Sequence, residues 1–518
     1  MNEKSMKTSQ NNSVVGAKWK YLTKKTTTTL LTISFLFFLS LIVVSFLSLA
    51  GWFDLAKYSG NFLMKSQMLE YPLDCAAWNR SRKCPRDYPT PYKPLNSKTS
   101  TCPEYFRWIH EDLKPWKETG ITRKMLEKAK WNAYFRLTIL DGRIYVEKYN
   151  SMLKRFIQTR HLFTMYGIVQ LLRWYPEKLP NLEIMFKTDD WPAIRSKDYR
   201  WPDSGPPPLF SYCSDLQSLD IVFPDWSFWG WAEINTKPWR SVIKDIKEGN
   251  KRSKWKDRVP FAYWKGNPHV SPIRKDLMKC NVTDKQSFLS FFWTDKYDFD
   301  TLLYNQDWIG QSKNGYNESN LEDQCTHRYK IYVEGSTWSV SEKYILACDS
   351  PTLYVRPRYH DFFSRGMIPQ QHYWPIRDND KCRSLKFAVQ WGNNHTDKAQ
   401  AIGKVGSQFI HEDLKMEYVY DYMFHLLNDY AKLLKFEPRI PANAVEICSE
   451  SLACTSEGIS RTLMEEALEK SPSYINPCTL PPPYDPEELK TFDELKIKAT
   501  QQVEAWEDDY WSRQKNKH

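Results

Sequence analysis

Two adjacent acids, Asp189 and Asp190, stand in the run Thr188-Asp189-Asp190-Trp191-Pro192, directly after the short apolar segment Leu182 to Phe186. Open α/β sheets place their ligand crevices at the C-terminal ends of central strands, and a carboxylate there can take the proton of an attacking hydroxyl. One of the pair is therefore expected as the general base of a hydrolase or transferase; the other reading is a solvated turn before proline. A second set of residues is cationic and contains glycine: Lys265-Gly266-Asn267 followed by Arg274, and Gly335-Ser336-Thr337 followed by Lys343. Glycine lets a backbone approach a ligand closely, and free amide groups at a helix start favour phosphate. The two loops are expected to face one diphosphate. The chain contains neither GxGxxG nor a Walker sequence, which disfavours a Rossmann oxidoreductase and a P-loop enzyme.

These groups need strands and helices to hold them. Leu162, Tyr166, Val169 and Leu172 share one helical face, and the pattern stops at Tyr175-Pro176. Leu182 to Phe186 then reads as a buried strand. Further on, Lys330–Val333 is a strand, Glu334–Thr337 a turn, Trp338–Cys348 a helix and Thr352–Val355 a strand, which together make a βαβ unit with Ser336 or Thr337 as helix cap. Val419, Met423, Leu426, Tyr430 and Leu433 describe an amphipathic helix. The stretch NPCTLPPPYDPEELK announces a proline-rich linker before an acidic helical tail, expected to be peripheral.

Ahead of all this lie 28 residues without an ionisable side chain between Lys25 and Asp54, enough to cross a bilayer core of roughly 30 Å. Six lysines (Lys4, Lys7, Lys18, Lys20, Lys24, Lys25) against Glu3 keep the preceding tail cytosolic, so the remainder is expected to be lumenal. Four Asn-x-Ser/Thr sequons, at Asn79, Asn281, Asn317 and Asn394, and eleven cysteines beyond the anchor fit that side. Most cysteines are expected in disulfides, with at least one left over. No Cys-x-x-Cys or His/Cys cluster suggests a metal. The positive surplus forms no basic stripe, so nucleic acid is not an expected partner. Tryptophan (22) and tyrosine (30) are abundant, and their flat amphipathic rings suit sugar faces as well as cores.

The series GRIYVEKY (142–149), QTR (158–160), TDDWP (188–192), PDWSFWGW (224–231), FAYWKGN (261–267) with Arg274, YKIYVEGSTWSVSEKYILACDS (329–350) and GSQFI (406–410) resembles the Rumi-like protein O-glucosyltransferases and capsule-associated proteins of glycosyltransferase family 90, most closely their plant branch. The resemblance implies an α/β, GT-B-like fold: two Rossmann-type domains around a cleft, after the transmembrane helix, with a UDP-sugar as donor and inversion at the anomeric carbon. On that pattern residues 1–28 are a cytosolic tail, 29–51 the signal-anchor, 52–100 a stem, 101–255 the domain of the base, 256–440 the nucleotide-sugar domain with a return helix, and 441–518 an extension. By motif, Asp190 corresponds to the family's base, with Asp189 orienting the loop or the acceptor. Lys265, Gly266, Asn267, Arg274, Gly335, Ser339 and Lys343 correspond to the donor loops. Animal relatives carry arginine where this chain has Lys265 and Lys343, and lysine lacks the bidentate fork.

Trp191, Trp226 and Trp229 are expected as faces for donor or acceptor sugar; for Trp226, Phe228 and Trp229 a hydrophobic plug between domains is the equal alternative. No cofactor is expected beyond the donor. The acceptor is a protein or a polysaccharide, and the location is the Golgi membrane, single-pass type II, ahead of the endoplasmic reticulum. Two rival readings stand beside this one. One is a GT-A transferase holding manganese through Asp298/Asp300 or Asp378/Asp380; the other is an inactive sugar-binding scaffold.

Overall fold

The computed structural model describes residues 70–85, 94, 100–149, 158–199, 205–280, 301–305, 310–311, 315–316 and 320–516. The expected tail and signal-anchor, much of the stem, Asn281, Asn317 and the Asp298/Asp300 pair lie outside these residues. Among the described residues no helix is long and apolar enough to cross a membrane.

In chain order the strands are β1 (Phe135–Leu140), β2 (Arg143–Lys148), β3 (Leu182–Phe186), β4 (Phe210–Ser211), β5 (Ser214–Asp215), β6 (Ile221–Val222), β7 (Val259–Gly266), β8 (Thr301–Asn305), β9 (His327–Tyr332), β10 (Thr352–Val355), β11 (Tyr359–His360), β12 (Trp374–Ile376) and β13 (Val445–Ile447). The first sheet runs β13-β2-β1-β3-β4-β6. Its nucleus is the β1–β2 hairpin, closed by Asp141 (φ 50°) and Gly142 (φ 71°). Two consecutive positive φ angles make the tight turn whose twist matches that of the strands, and Asp-Gly is the pair that tolerates it. β3 lies antiparallel to β1, with Phe135 opposite Phe186 and their rings stacked at 5.3 Å. β4 and β6 continue parallel to β3.

The second sheet, β12-β10-β9-β7-β8, is parallel throughout. Its apolar residues, among them Trp264, Ile331, Leu353 and Val355, lie in a separate core. Parallel α/β geometry thus belongs to the second sheet, whereas the first is mixed because a hairpin, not a crossover, starts it.

The βαβ unit joins β9 to β10 as expected, with a shorter helix, Ser341–Leu346. Neither Ser336 nor Thr337 caps that helix. The Thr337 hydroxyl is used elsewhere, as described below, and the Ser339 amide donates to the Tyr332 hydroxyl at 3.2 Å. Lys343 consequently sits in the first turn of the helix.

Helix α1 (Cys75–Ser81) belongs to the expected stem, and α2 (Arg160–Trp174) follows the first hairpin. The predicted face of α2 proves too narrow, since every residue from Phe163 to Trp174 is buried. Its Gly167 admits the Trp229 ring, which would meet a Cβ there at 2.5 Å. Helix α3 (Lys381–Asn394) flanks the second sheet, and α4 (Met416–Lys432) returns to the first, where Tyr430 donates to the Glu183 carbonyl at 3.0 Å.

The C-terminal residues are not peripheral. β13 is an edge strand of the first sheet, and Leu463, Met464 and Cys478 join its core. Helix α5 (Pro486–Lys515) packs on α3: Val503 is buried, Ser384 donates to Glu507 at 3.0 Å, and Arg377 grips Asp508 at 2.7 and 2.9 Å. Disulfides Cys75–Cys454, Cys84–Cys448 and Cys102–Cys478 staple the stem and its neighbour to this region, while Cys280–Cys382 and Cys325–Cys348 brace the second half. Cys213 is the free, buried cysteine.

Candidate functional site

The strand β3 delivers the Asp189-Asp190 pair, and the following loop is clamped. The Asp220 carboxylate accepts the amides of Ala193 at 3.0 Å and Ile194 at 2.8 Å, and the Ser211 hydroxyl at 2.8 Å. The two acids point to different partners. Asp189 takes the Lys187 ammonium, the Tyr134 hydroxyl at 3.0 Å and the Trp191 amide at 3.2 Å. Asp190 pairs with the Arg160 guanidinium at the start of α2. Arg160 is itself fixed, lying 4.3 Å over the Trp226 ring and donating to Gln158 at 2.7 Å. The Asp190 carbonyl accepts from Cys213 Sγ at 3.2 Å and from Thr337 Oγ1 at 2.8 Å. The last bond ties the first sheet's acid to the loop after β9.

That loop and the one after β7 are knitted together by Arg274. Its buried guanidinium donates to the carbonyls of Glu334 (2.9 Å), Val333 (3.3 Å) and Asn267 (3.4 Å) and to Ser339 Oγ (3.0 Å). It pairs with no acid among the described residues, and burial lowers its pKa to about 10. Gly335 packs beside it, so that a Cβ there would lie 3.6 Å from the guanidinium. Gly266 abuts the Trp264 ring, which a Cβ would meet at 2.6 Å. Asn267 caps the next turn through the His269 amide at 2.9 Å. Lys265 is exposed and makes no ion pair among the described residues.

Several expected site residues stand elsewhere. Lys343 does not reach the crevice: it is buried, with Nζ 3.0 Å from the Asp225 carboxylate and 2.8 Å from Ser227 Oγ. Burial alone would depress this ammonium, but Asp225 holds it above its usual range. Trp226 and Trp229 are also buried. Trp226 contacts Tyr212 and Trp231, each with ring centroids 5.1 Å away, and Trp229 donates to the Tyr420 hydroxyl at 3.2 Å. Both are therefore core residues and offer no face to a sugar. Trp191 is 51% exposed and lies perpendicular to the Tyr359 ring at 6.0 Å. Asp378 and Asp380 are ion-paired to Lys381 (2.7 Å) and Arg383 (3.2 Å) around the start of α3. The grouping Cys102–His425–Cys478 offers no thiolate to a metal, because its two sulfurs are bonded to each other. Of the sequons, Asn79 and Asn394 are exposed. Arg160, Cys213 and Asp225 escaped the residue-level reading, although QTR and PDWSFWGW marked the segments of Arg160 and Asp225; Thr337 was named as a helix cap, not as a partner of Asp190.

The chain is thus an α/β protein in which an acid at the end of a strand in one sheet is bonded, through its carbonyl, to a cationic glycine loop at the strand ends of a parallel sheet. Residues 97–507 match Glycosyl transferase family 90. The chain belongs to this family and is a glycosyltransferase. It is similar to the O-glucosyltransferase rumi homolog of Aedes aegypti, 27% identical over 368 residues that span 69% of this chain and 84% of that protein. It is similar also to Protein O-glucosyltransferase 1 of Homo sapiens, 25% identical over 355 residues (67% and 83%), and to O-glucosyltransferase rumi of Drosophila melanogaster, 24% identical over 359 residues (67% and 81%).

Proposed function

We propose that the chain transfers glucose or xylose from a UDP-sugar to a hydroxyl of a protein, with a cell-wall glycan as the second acceptor class. The reaction inverts the anomeric carbon in a GT-B-like cleft. The observation that carries this reading is the Thr337–Asp190 hydrogen bond, since it sets the acid of β3 against the loop that Arg274 organises. The relatives, whose names include Protein O-glucosyltransferase 1, favour a protein acceptor.

In the reaction, Asp190 takes the proton of the acceptor hydroxyl as its oxygen bonds to the anomeric carbon. The bond from that carbon to the diphosphate oxygen breaks, and UDP leaves with the electron pair. Lys265, exposed at the end of β7, is placed to meet the diphosphate, and Arg274 contributes its uncompensated charge and the shape of both loops. Lys343 acts below the site, neutralising Asp225. Asp189 holds the loop, and Trp191 offers a ring to the acceptor side. The enzyme works without a metal, from a type II anchor in the Golgi membrane, with the endoplasmic reticulum as second choice. The five disulfides agree with a lumenal domain.

The test is UDP release by the detergent-solubilised full chain with UDP-glucose and UDP-xylose, each with and without EDTA, beside Asp190→Asn. Turnover that survives EDTA and vanishes in the variant supports the reading and identifies the donor. Turnover that needs manganese and survives the substitution overturns it.

A further inference from the structure

Away from the Asp190 site, on the outer side of the second sheet, lies a groove of about 440 Å³. Its floor and walls include Trp391 of α3, Trp506 of α5, and Lys398, Ile402 and Val405 of the helix Thr396–Gln408, with Gln371 also in the lining. The three helix residues follow the spacing of a single face. Trp506 is 38% exposed, and its ring lies nearly parallel to that of Trp391, at 12° and 6.1 Å. Flat indoles with an amide and an ammonium beside them match the chemistry of a pyranose, which offers an apolar C–H face and a ring of hydroxyls.

The occupant is indicated by what is attached beside it. Asn394-His395-Thr396 is a glycosylation sequon, Asn394 is exposed, and it lies three residues after Trp391 on the same helix, hence on the same side. His395 stacks on Trp391 at 4.7 Å and bonds its carbonyl at 2.8 Å, which fixes the chain between the sequon and the groove. We propose that the groove seats the chain's own N-linked glycan, carried on Asn394, with its first sugar rings against the exposed indole of Trp506, which Trp391 backs from the groove wall. A covalent tether raises the local sugar concentration to about the millimolar range, so a weak stacking contact suffices to hold the glycan down. The glycan then covers apolar surface at the junction of α3, α5 and the helix between them. This inference is independent of the transfer reaction and requires only passage through the secretory route.

The experiment uses the full chain expressed in a eukaryotic secretory host. Peptide mapping reads occupancy at each sequon, and peptide-N-glycosidase removal under native conditions is timed at Asn394 against the exposed Asn79. The expected result is an occupied Asn394 whose glycan is released about tenfold more slowly than that of Asn79, a difference of about 1.4 kcal/mol in protection. Trp506→Ala is expected to bring the two rates together, and Gln371→Ala, at an exposed position, serves the same purpose should the tryptophan variant fail to fold. A second readout is acrylamide quenching of tryptophan fluorescence, which should rise when the Asn394 glycan is trimmed and not in Asn394→Gln. An unoccupied Asn394, or equal release rates unmoved by either groove substitution, overturns the proposal.

Discussion

The Thr337 hydroxyl donates to the main-chain carbonyl of Asp190 at 2.8 Å, joining the end of β3 in one sheet to the loop after β9 in the other. Because the carbonyl belongs to the acid itself, the bond sets where the carboxylate starts from, and Arg160 then sets where it points. Thr337→Val keeps the shape and removes the donor. The expected cost is about 1 kcal/mol of stability, with a fall in kcat larger than the change in KM. Steady-state kinetics and thermal melting of the same preparation separate the two effects.

Asp189 and Asp190 should respond differently to amide substitution. Asp190→Asn is expected to lower kcat by about 10²–10⁴-fold, the usual range for a positioned base, without altering the fold. Asp189→Asn leaves Lys187 short of its acid and should lower Tm with a smaller loss of kcat. Equal kinetic losses in the two variants would remove the assignment of the base.

Two of the three cations expected on the diphosphate, Lys343 and Arg274, are separable by experiment. Lys343→Met leaves Asp225 charged and buried, and breaking such a pair costs about 3–5 kcal/mol. Adding Asp225→Asn should recover much of that loss, and UDP affinity of the folded fraction should hold. Arg274→Lys keeps the charge but loses the planar fork that spans four oxygens, so UDP binding is expected to weaken markedly. Calorimetric titration with UDP discriminates the pair.

Burial pushes the Glu334 carboxyl up to about 7, against the donation of the Arg358 and Tyr359 amides at 2.9 and 2.7 Å. The folded protein thus holds this proton more tightly than the unfolded chain does. Stability from this group is full below the unfolded value near 4.5, falls as pH rises toward 7, and is level above it. Buried Asp361 and Asp421, each raised to about 6 by burial, act in the same direction. Half-buried His161 and buried His327 and His372, lowered to about 4 by burial, oppose them by losing stability as pH falls below about 6.5. Glu334→Gln should therefore flatten the loss between pH 5 and 7.5 relative to the parent chain, by roughly 3 kcal/mol at most. Denaturant melts at the two pH values measure the difference.

Removal of residues 441–518 is expected to abolish recovery of folded protein, since it deletes β13 and three disulfide partners, Cys448, Cys454 and Cys478. Removal of α5 alone uncovers the surface around Trp374 and Trp391 and breaks the Arg377–Asp508 contact. Lower yield and Tm are expected, with aggregation on warming, as read by light scattering. A shortened chain with parental Tm would show the tail to be dispensable.

What the amino-acid sequence determined by itself is local. Leu182–Phe186 is a strand because four of its five residues are apolar and the run is bounded by turn signals, and the acids after it inherit a crevice position from that fact. The β9–β10 crossover was legible for the same reason, as were the family and the set of loops that matter. Tertiary structure decided the rest. Lys343 lies in a phosphate-like context along the chain, yet a carboxylate 118 positions away claims it. Thr337 reads as a helix cap, yet its hydroxyl goes to Asp190 across the sheets. The staples between stem and C-terminal region close loops of 364 to 379 residues, and no local pattern encodes which cysteine meets which. Periodicity and turn chemistry act over a few residues, whereas buried charges, indoles and thiols find partners only when distant segments pack and water is excluded.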